Sequence, residues 1–244
     1  MKLNLDNIKD KESGKVGLVI ALGPSLREVL HVVEDMSKNN RDKVAFYSCN
    51  LFSSMMNVTT DYWLVTNQQE TMRIANAHSR YNGQESVFIF TPRLDGFSME
   101  DAEKHLSVDY LPIWDQPGNE LSLADYLQKY TEAEAPYPPV ESVVIHQIAT
   151  AIITGCKEVY ISGVDLDYKG GYVKKGAHES GVALGKQCMD ARARERTINN
   201  VRFLKSCAKN VGCELYTLNE TGPLSQVLEF KDISNLKKKL DETQ

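Results

Sequence analysis

At 244 residues the chain is long enough to bury a sizeable core and short enough to do so in one domain. Its 42% hydrophobic and 25% charged residues are those of an ordinary globular protein, which excludes a disordered or fibrous chain. A formal net charge of -5 gives no support to nucleic-acid binding, and no stretch approaches the roughly 20 apolar residues of a membrane-spanning helix. The five cysteines (Cys49, Cys156, Cys188, Cys207 and Cys213) are odd in number and form no C-x-x-C pair. They read as free thiols of a reducing cytoplasm, neither a disulfide framework nor a structural zinc site. Residues 1–14 are polar, lack an apolar signal segment and are expected to be flexible.

The first element is Val16 to Ala21, a short apolar run suited to a buried parallel strand. It enters Leu22-Gly23-Pro24-Ser25 and then a helical pattern with Leu26, Val29, Leu30 and Val33 on one face. Gly23 permits a tight bend, and Pro24 has the backbone angle of a first helical turn. Second and third strands are predicted at 43–48 and 61–66, leading to Asn50 and Asn67. A helix over 70–80 and a fourth strand over 86–90 follow. Strands alternating with helices predict a Rossmann-like, doubly wound α/β fold: a mainly parallel sheet with helices on both faces.

Residues 91–139 hold most of the prolines and are read as an irregular insertion or lid carrying one helix near 121–130. A helix over 143–154 stops at Gly155, a strand over 158–162 follows, and Gly163-Val164-Asp165 lies at its carboxyl end. Residues 166–190 form a loop rich in glycine and lysine; a helix over 190–209 and a strand over 214–218 close the fold. The tail from 231 to 244 reads as an amphipathic helix with Lys237, Lys238 and Lys239 exposed. A solvated terminal helix is the favoured reading of it, and peripheral contact with an anionic membrane the lesser one.

Three groups of residues carry candidate chemistry. A glycine turn between a strand and a helix aims backbone N–H groups and the positive end of a helix dipole at one point, which suits a phosphate, with Ser25 as a further donor. The bland alternative is an ordinary turn in which Ser25 caps its own helix. Asn50, Asn67 and Asp165 stand at successive strand ends, where a parallel sheet gathers its ligand crevice; each of them could instead cap the helix that follows. Asp165 and Asp167 could hold Mg²⁺ against phosphates, or orient a sugar hydroxyl. His178 in the following loop is a candidate general acid or base near neutral pH.

In order, VIALGPSL, SCNLF, TDYWLVTN and ATAIITGCKEVYISGVDLDY resemble the motifs of bacterial sialyltransferases that build lipooligosaccharide. They are also similar to the flagellar motility accessory factors and to the MptE-like 6-hydroxymethylpterin diphosphokinases of the same fold group. The resemblance runs from about Lys15 to Phe230. It implies that Gly23, Pro24, Ser25, Asn50 and Asn67 hold the nucleotide part of a nucleotide-activated sugar; Gly163 and Asp167, at and after the end of the late strand, are further candidates for binding it. It also implies that Tyr168 and Tyr172 contact the phosphate. The family's turn carries an asparagine where this chain has Leu22, and its histidine before the last long helix is replaced by Arg192, Arg194 and Arg196. GVDLDY…AHESG looks like the loop of the motility-factor and MptE-like branch, which makes His178 the candidate base.

The favoured expectation is a cytoplasmic glycosyltransferase, at the inner face of the membrane in some settings, that uses a CMP-linked, sialic-acid-like donor and a glycan or protein hydroxyl acceptor. No cofactor is required in this reading. His178, Asp165 and Arg192 serve catalysis, with Lys174, Lys175 or Arg192 neutralising phosphate charge as it develops. The second expectation is a diphosphokinase with Mg²⁺ held by Asp165 and Asp167, and the third a non-catalytic nucleotide-binding subunit. No nucleic acid is expected as partner, and a homo-oligomer is compatible with each.

Overall fold

The computed structural model describes residues 1–50, 57–65, 86–91, 98–106, 108–113, 122–133, 142–166 and 191–242. Among them, eight strands form one parallel sheet. The strands are β1 (Val16–Ile20), β2 (Val44–Cys49), β3 (Tyr62–Val65), β4 (Val87–Phe90), β5 (Tyr110–Pro112), β6 (Glu158–Ser162), β7 (Glu214–Thr217) and β8 (Glu229–Phe230). Their order across the sheet is β5-β4-β3-β2-β1-β6-β7-β8. The helices are α1 (Leu26–Asn39), α2 (Met99–His105), α3 (Leu123–Thr131), α4 (Val143–Ile153), α5 (Ala191–Asn210) and α6 (Ile233–Glu242).

The central strands read as unbroken apolar runs because both of their faces are covered. On one face Val19, Ala45, Tyr47, Leu64, Ile89 and Ile161 pack against α3, α4 and α5. On the other Leu18, Ile20 and Phe46 pack against Val33 and Met36 of α1 and Leu236 and Leu240 of α6. Trp63, Phe88 and Phe90 extend that second layer toward Ala102 of α2. The predicted doubly wound architecture is the one observed. Every residue of α4 after the first is buried, as a helix that is apolar nearly all round requires.

The segment 91–139 contributes more than the single helix expected of it. β5 completes one edge of the sheet and α2 lies beside it. The predicted helix over 70–80 falls outside the described residues.

Residues 1–14, expected to be flexible, are instead a packed strap. Leu3, Leu5 and Ile8 are buried in the larger core cluster. Lys2 pairs with Tyr110 on the outer side of β5. The N–H groups of Asp10 and Glu12 donate to the carbonyls of Ile153 and Thr154 at the end of α4, at 3.0 and 2.7 Å. Tyr126 and Tyr130 of α3 donate to Asp6 and Asp10, and Tyr62 to Glu12. The segment is polar overall, yet three apolar side chains and a row of backbone donors suffice to dock it.

α6 is docked in the same sense. Ile233, Leu236 and Leu240 are buried, Lys237 pairs with Asp35 and Asp241, and Lys239 with Glu158. Its apolar face is therefore turned to the core rather than presented to a bilayer. No helix among the described residues is long and apolar enough to cross a membrane.

Cys49, Cys156, Cys207 and Cys213 are free and buried. Burial pushes the Cys156 thiol up to about 11 and the Cys213 thiol up to about 12. The rise from 9.0 to about 11 leaves roughly a hundredfold less thiolate at Cys156 than at an ordinary cysteine at pH 8. Peptide mapping after iodoacetamide at pH 8 should find these four cysteines unmodified in the folded protein and fully modified in guanidinium chloride. Rapid labelling of Cys156 in the native state would contradict the packing.

Candidate functional site

The chain runs outward from β1 to β5, returns through α4, and continues from β6 to β8 on the other side of β1. The order therefore reverses between β1 and β6, the switch point beside which, at the carboxyl ends of the strands, open α/β sheets place their ligand crevice. A helix preceding a parallel strand runs against it, so α1, α4 and α5 all begin at this edge. Neither α4 nor α5 has an acidic residue in its first turn. Ser142 opens α4 without a side-chain cap, and Arg192 and Arg194 are exposed at the start of α5. Three positive helix ends thus face one rim.

Within the crevice the loops after β1 and β6 are tied together. Ala21 N–H donates to Ser162 O at 3.0 Å and Gly23 N–H to Gly163 O at 2.8 Å, continuing the ladder beyond the strands. The approach leaves no room for side chains. A Cβ on Gly23 would lie 2.1 Å from Asp165 Oδ2 and 2.4 Å from Gly163 O. A Cβ on Gly163, whose φ is +71°, would lie 2.2 Å from Ala21 O.

Asp165 organises this point. Its Oδ2 accepts from Ser25 N–H at 3.1 Å and from Ser25 Oγ at 2.9 Å, and its Oδ1 accepts from Asn219 Nδ2 at 3.2 Å. The hydroxyl of Ser25 consequently makes no cap bond to its own helix. This corrects the reading in which Ser25 caps its own helix. The N–H groups of Gly23 and Ser25 are occupied, and Pro24 has none. The anion at the positive end of α1 in this structure is a carboxylate of the protein itself.

Asn50 stands at the end of β2 in a left-handed conformation, φ 49°, which Asn tolerates better than most residues. Its N–H donates to Leu64 O at 3.1 Å and its carbonyl accepts from Trp63 Nε1, so β3 fixes the backbone that carries the side chain. Beneath the rim, Gln147 of α4 is fully buried, and its Nε2 donates to Ile20 O and Tyr47 O at 3.0 and 2.9 Å. That one amide spans the last turns of β1 and β2.

The structure thus brings together Gly23, Pro24, Ser25, Gly163 and Asp165, with Asn50 on the neighbouring strand end. Arg192 lies on the same rim, on α5. Asn67, Asp167, Tyr168, Tyr172, Lys174, Lys175 and His178 fall outside the described residues. Among the described residues no group of three or more His, Cys, Asp or Glu could hold a metal ion. Asn219, which follows β7, was missed by the sequence reading although it obeys the same rule of a polar residue at a strand end.

No protein-family profile matches the chain, and no curated protein does. Solved structures do. The sialyltransferase CST-II in complex with a trisaccharide acceptor and CMP is similar with a TM-score of 0.56 at 16% identity, over 88% of this chain and 86% of that one. An asparagine-to-alanine variant of the same enzyme in complex with CMP gives 0.55 at 16% identity over the same shares. The monofunctional alpha-2,3-sialyltransferase Cst-I from Campylobacter jejuni gives 0.55 at 14% identity, over 96% of this chain and 95% of that one. The likeness is one of fold.

Proposed function

We propose that the protein is a glycosyltransferase that binds a CMP-linked, sialic-acid-like donor in the crevice between β1 and β6 and passes the sugar to a glycan or protein hydroxyl. The observation that carries the reading is the tie between three strand ends, through Ser25, Asp165 and Asn219, at the switch point of the sheet, with Asn50 at the end of the adjacent β2. The fold likeness supports it, since it extends over most of each chain and two of those structures hold CMP. Asn50 and Asn67 would read the nucleotide, Tyr168 and Tyr172 would contact its phosphate, and His178 would take the acceptor proton. Arg192, with Lys174 and Lys175, would meet the charge left on the departing CMP, so that no metal is needed. Asp165 has a different part here from the one first expected: it shapes the crevice, because both of its oxygens already serve Ser25 and Asn219.

Calorimetry of CMP, CDP, ATP and GTP, each with and without Mg²⁺, tests this. Metal-independent CMP or CDP binding should appear and weaken by roughly tenfold or more in Asn50→Ala and Asn67→Ala, as loss of one or two hydrogen bonds to a bound group would cause. Binding of a purine triphosphate alone, and only with Mg²⁺, would replace this reading with the diphosphokinase.

A further inference from the structure

We propose that Asn219 is a positioning residue of this site: acting through Asp165, it holds the Gly23–Ser25 turn in the form that receives the nucleotide. The role of the turn in nucleotide binding rests on the function proposed above, whereas the mechanical link does not.

Asn219 is itself tightly held. Its N–H donates to Thr217 Oγ1 at 3.2 Å, and its Oδ1 accepts from Thr221 N–H at 3.2 Å, closing an Asx turn beyond β7. Gly222 packs against the amide so closely that a Cβ there would lie 2.6 Å from Nδ2. With its oxygen committed to Thr221, the amide can only turn its NH₂ outward, and it meets Asp165 Oδ1. The other carboxylate oxygen takes both donors of Ser25 and lies in the hollow left by the missing side chain of Gly23.

The chain of contacts therefore runs from β7 across β6 to the start of α1. Ser25 alone could pull Asp165 toward α1 in more than one orientation, because both of its donors reach the same oxygen. Asn219 supplies the second point, and two points fix the plane of a carboxylate. Without it the carboxylate can rotate, and its bonds to Ser25 no longer hold the Gly23–Ser25 turn in one position. Asn219 touches no reacting atom in this account. Its effect belongs in nucleotide affinity and donor KM, with kcat changed less.

The variants to compare are Asn219→Ala, Asn219→Asp, Asp165→Asn and the double exchange Asp165→Asn with Asn219→Asp. In the double exchange the amide at position 165 offers its oxygen to Ser25 and its NH₂ to the carboxylate at position 219, so the contacts are kept with donor and acceptor reversed. Each single change should weaken CMP binding by about tenfold, with Asn219→Asp the worst because it sets two carboxylates face to face, and the double exchange should recover to within about threefold of the parent. Amide hydrogen exchange should accelerate at Ser25 and Leu26 in Asn219→Ala while exchange in β2 to β4 stays as it was. Unchanged exchange at Ser25 would overturn the proposal. So would an equal acceleration throughout the sheet with no recovery in the double exchange, since that is the pattern of a merely structural residue. If the parent binds no CMP, the proposed function fails, and the exchange measurement still decides whether Asn219 governs the turn.

Discussion

Replacing Gly163 by alanine should destabilise the protein by roughly 3–4 kcal/mol and abolish nucleotide binding, the largest effect expected of a methyl group added at any of the described glycines. Two costs combine. The left-handed backbone, φ +71°, costs an alanine about 1 kcal/mol by itself. The new Cβ would also lie 2.2 Å from Ala21 O and 2.7 Å from Ala21 C, backbone atoms of the neighbouring strand end that no side-chain rotation can clear. β1 and β6 must then part at the crevice, breaking the Gly23–Gly163 bond. Gly212→Ala separates the two costs, because Gly212 has φ +73° and nothing within 4 Å of the added carbon. It should lose only the backbone share. Thermal melts should show a fall of roughly 10 °C for Gly163→Ala and roughly 3 °C for Gly212→Ala, at the few degrees per kcal/mol usual for a chain of this size. Equal falls would mean that the contact with Ala21 is not confining.

The second large effect is expected at Gln147. Gln147→Leu keeps the volume close and removes two donated hydrogen bonds, leaving Ile20 O and Tyr47 O without that donor in a site closed to water. A buried acceptor that loses its donor costs about 1–3 kcal/mol; Ile20 O keeps a weak contact from Cys49 Sγ, and Gln147 Oε1 is itself buried without a partner, so a total of roughly 2 kcal/mol is expected. Because the carbonyls belong to the last residue of β1 and to Tyr47, two residues before the end of β2, CMP binding should weaken as well. Gln147→Met, equally apolar and similar in length, should fall together with Gln147→Leu in guanidinium chloride titrations if the hydrogen bonds matter. Recovery in the methionine variant would point instead to shape. An unchanged midpoint in both would show that the two carbonyls find other donors.

Much of the architecture was legible before any coordinates. β1 to β4 and β6 announce themselves because a strand buried on both faces needs a nearly continuous run of apolar residues, and Val16 to Ile20 or Val87 to Phe90 has no other reading of equal merit. β5 and β8 gave no such signal. Tyr-Leu-Pro and Glu-Phe are too short for periodicity, and each becomes a strand only through the neighbour it pairs with. The strap over residues 1–14 was hidden for a similar reason, since its three apolar residues are sparse and their partners lie far along the chain.

At the site, strand order alone places Gly23, Ser25, Gly163 and Asp165 together. What the sequence could not reveal is the direction of the bonds. Whether Ser25 turns to its own helix or to a carboxylate 140 residues away is decided by the distance between two loops, and that distance follows from two glycines meeting across the crevice. Asn219 was within reach of the same rule that singled out Asn50, and its part depends on that carboxylate.

The strap also sets a timetable. Its residues leave the ribosome well before the groups they bind: Asp6 and Asp10 wait for partners 120 residues further along, and Glu12 for the end of α4. At about 5–20 residues per second those partners emerge roughly 6–24 seconds later. β1 waits longer still for β6, although it is the strand on which both halves of the sheet are built. The nascent chain therefore carries its central strand with one side open until β6 emerges, and the sheet closes only when its second half arrives.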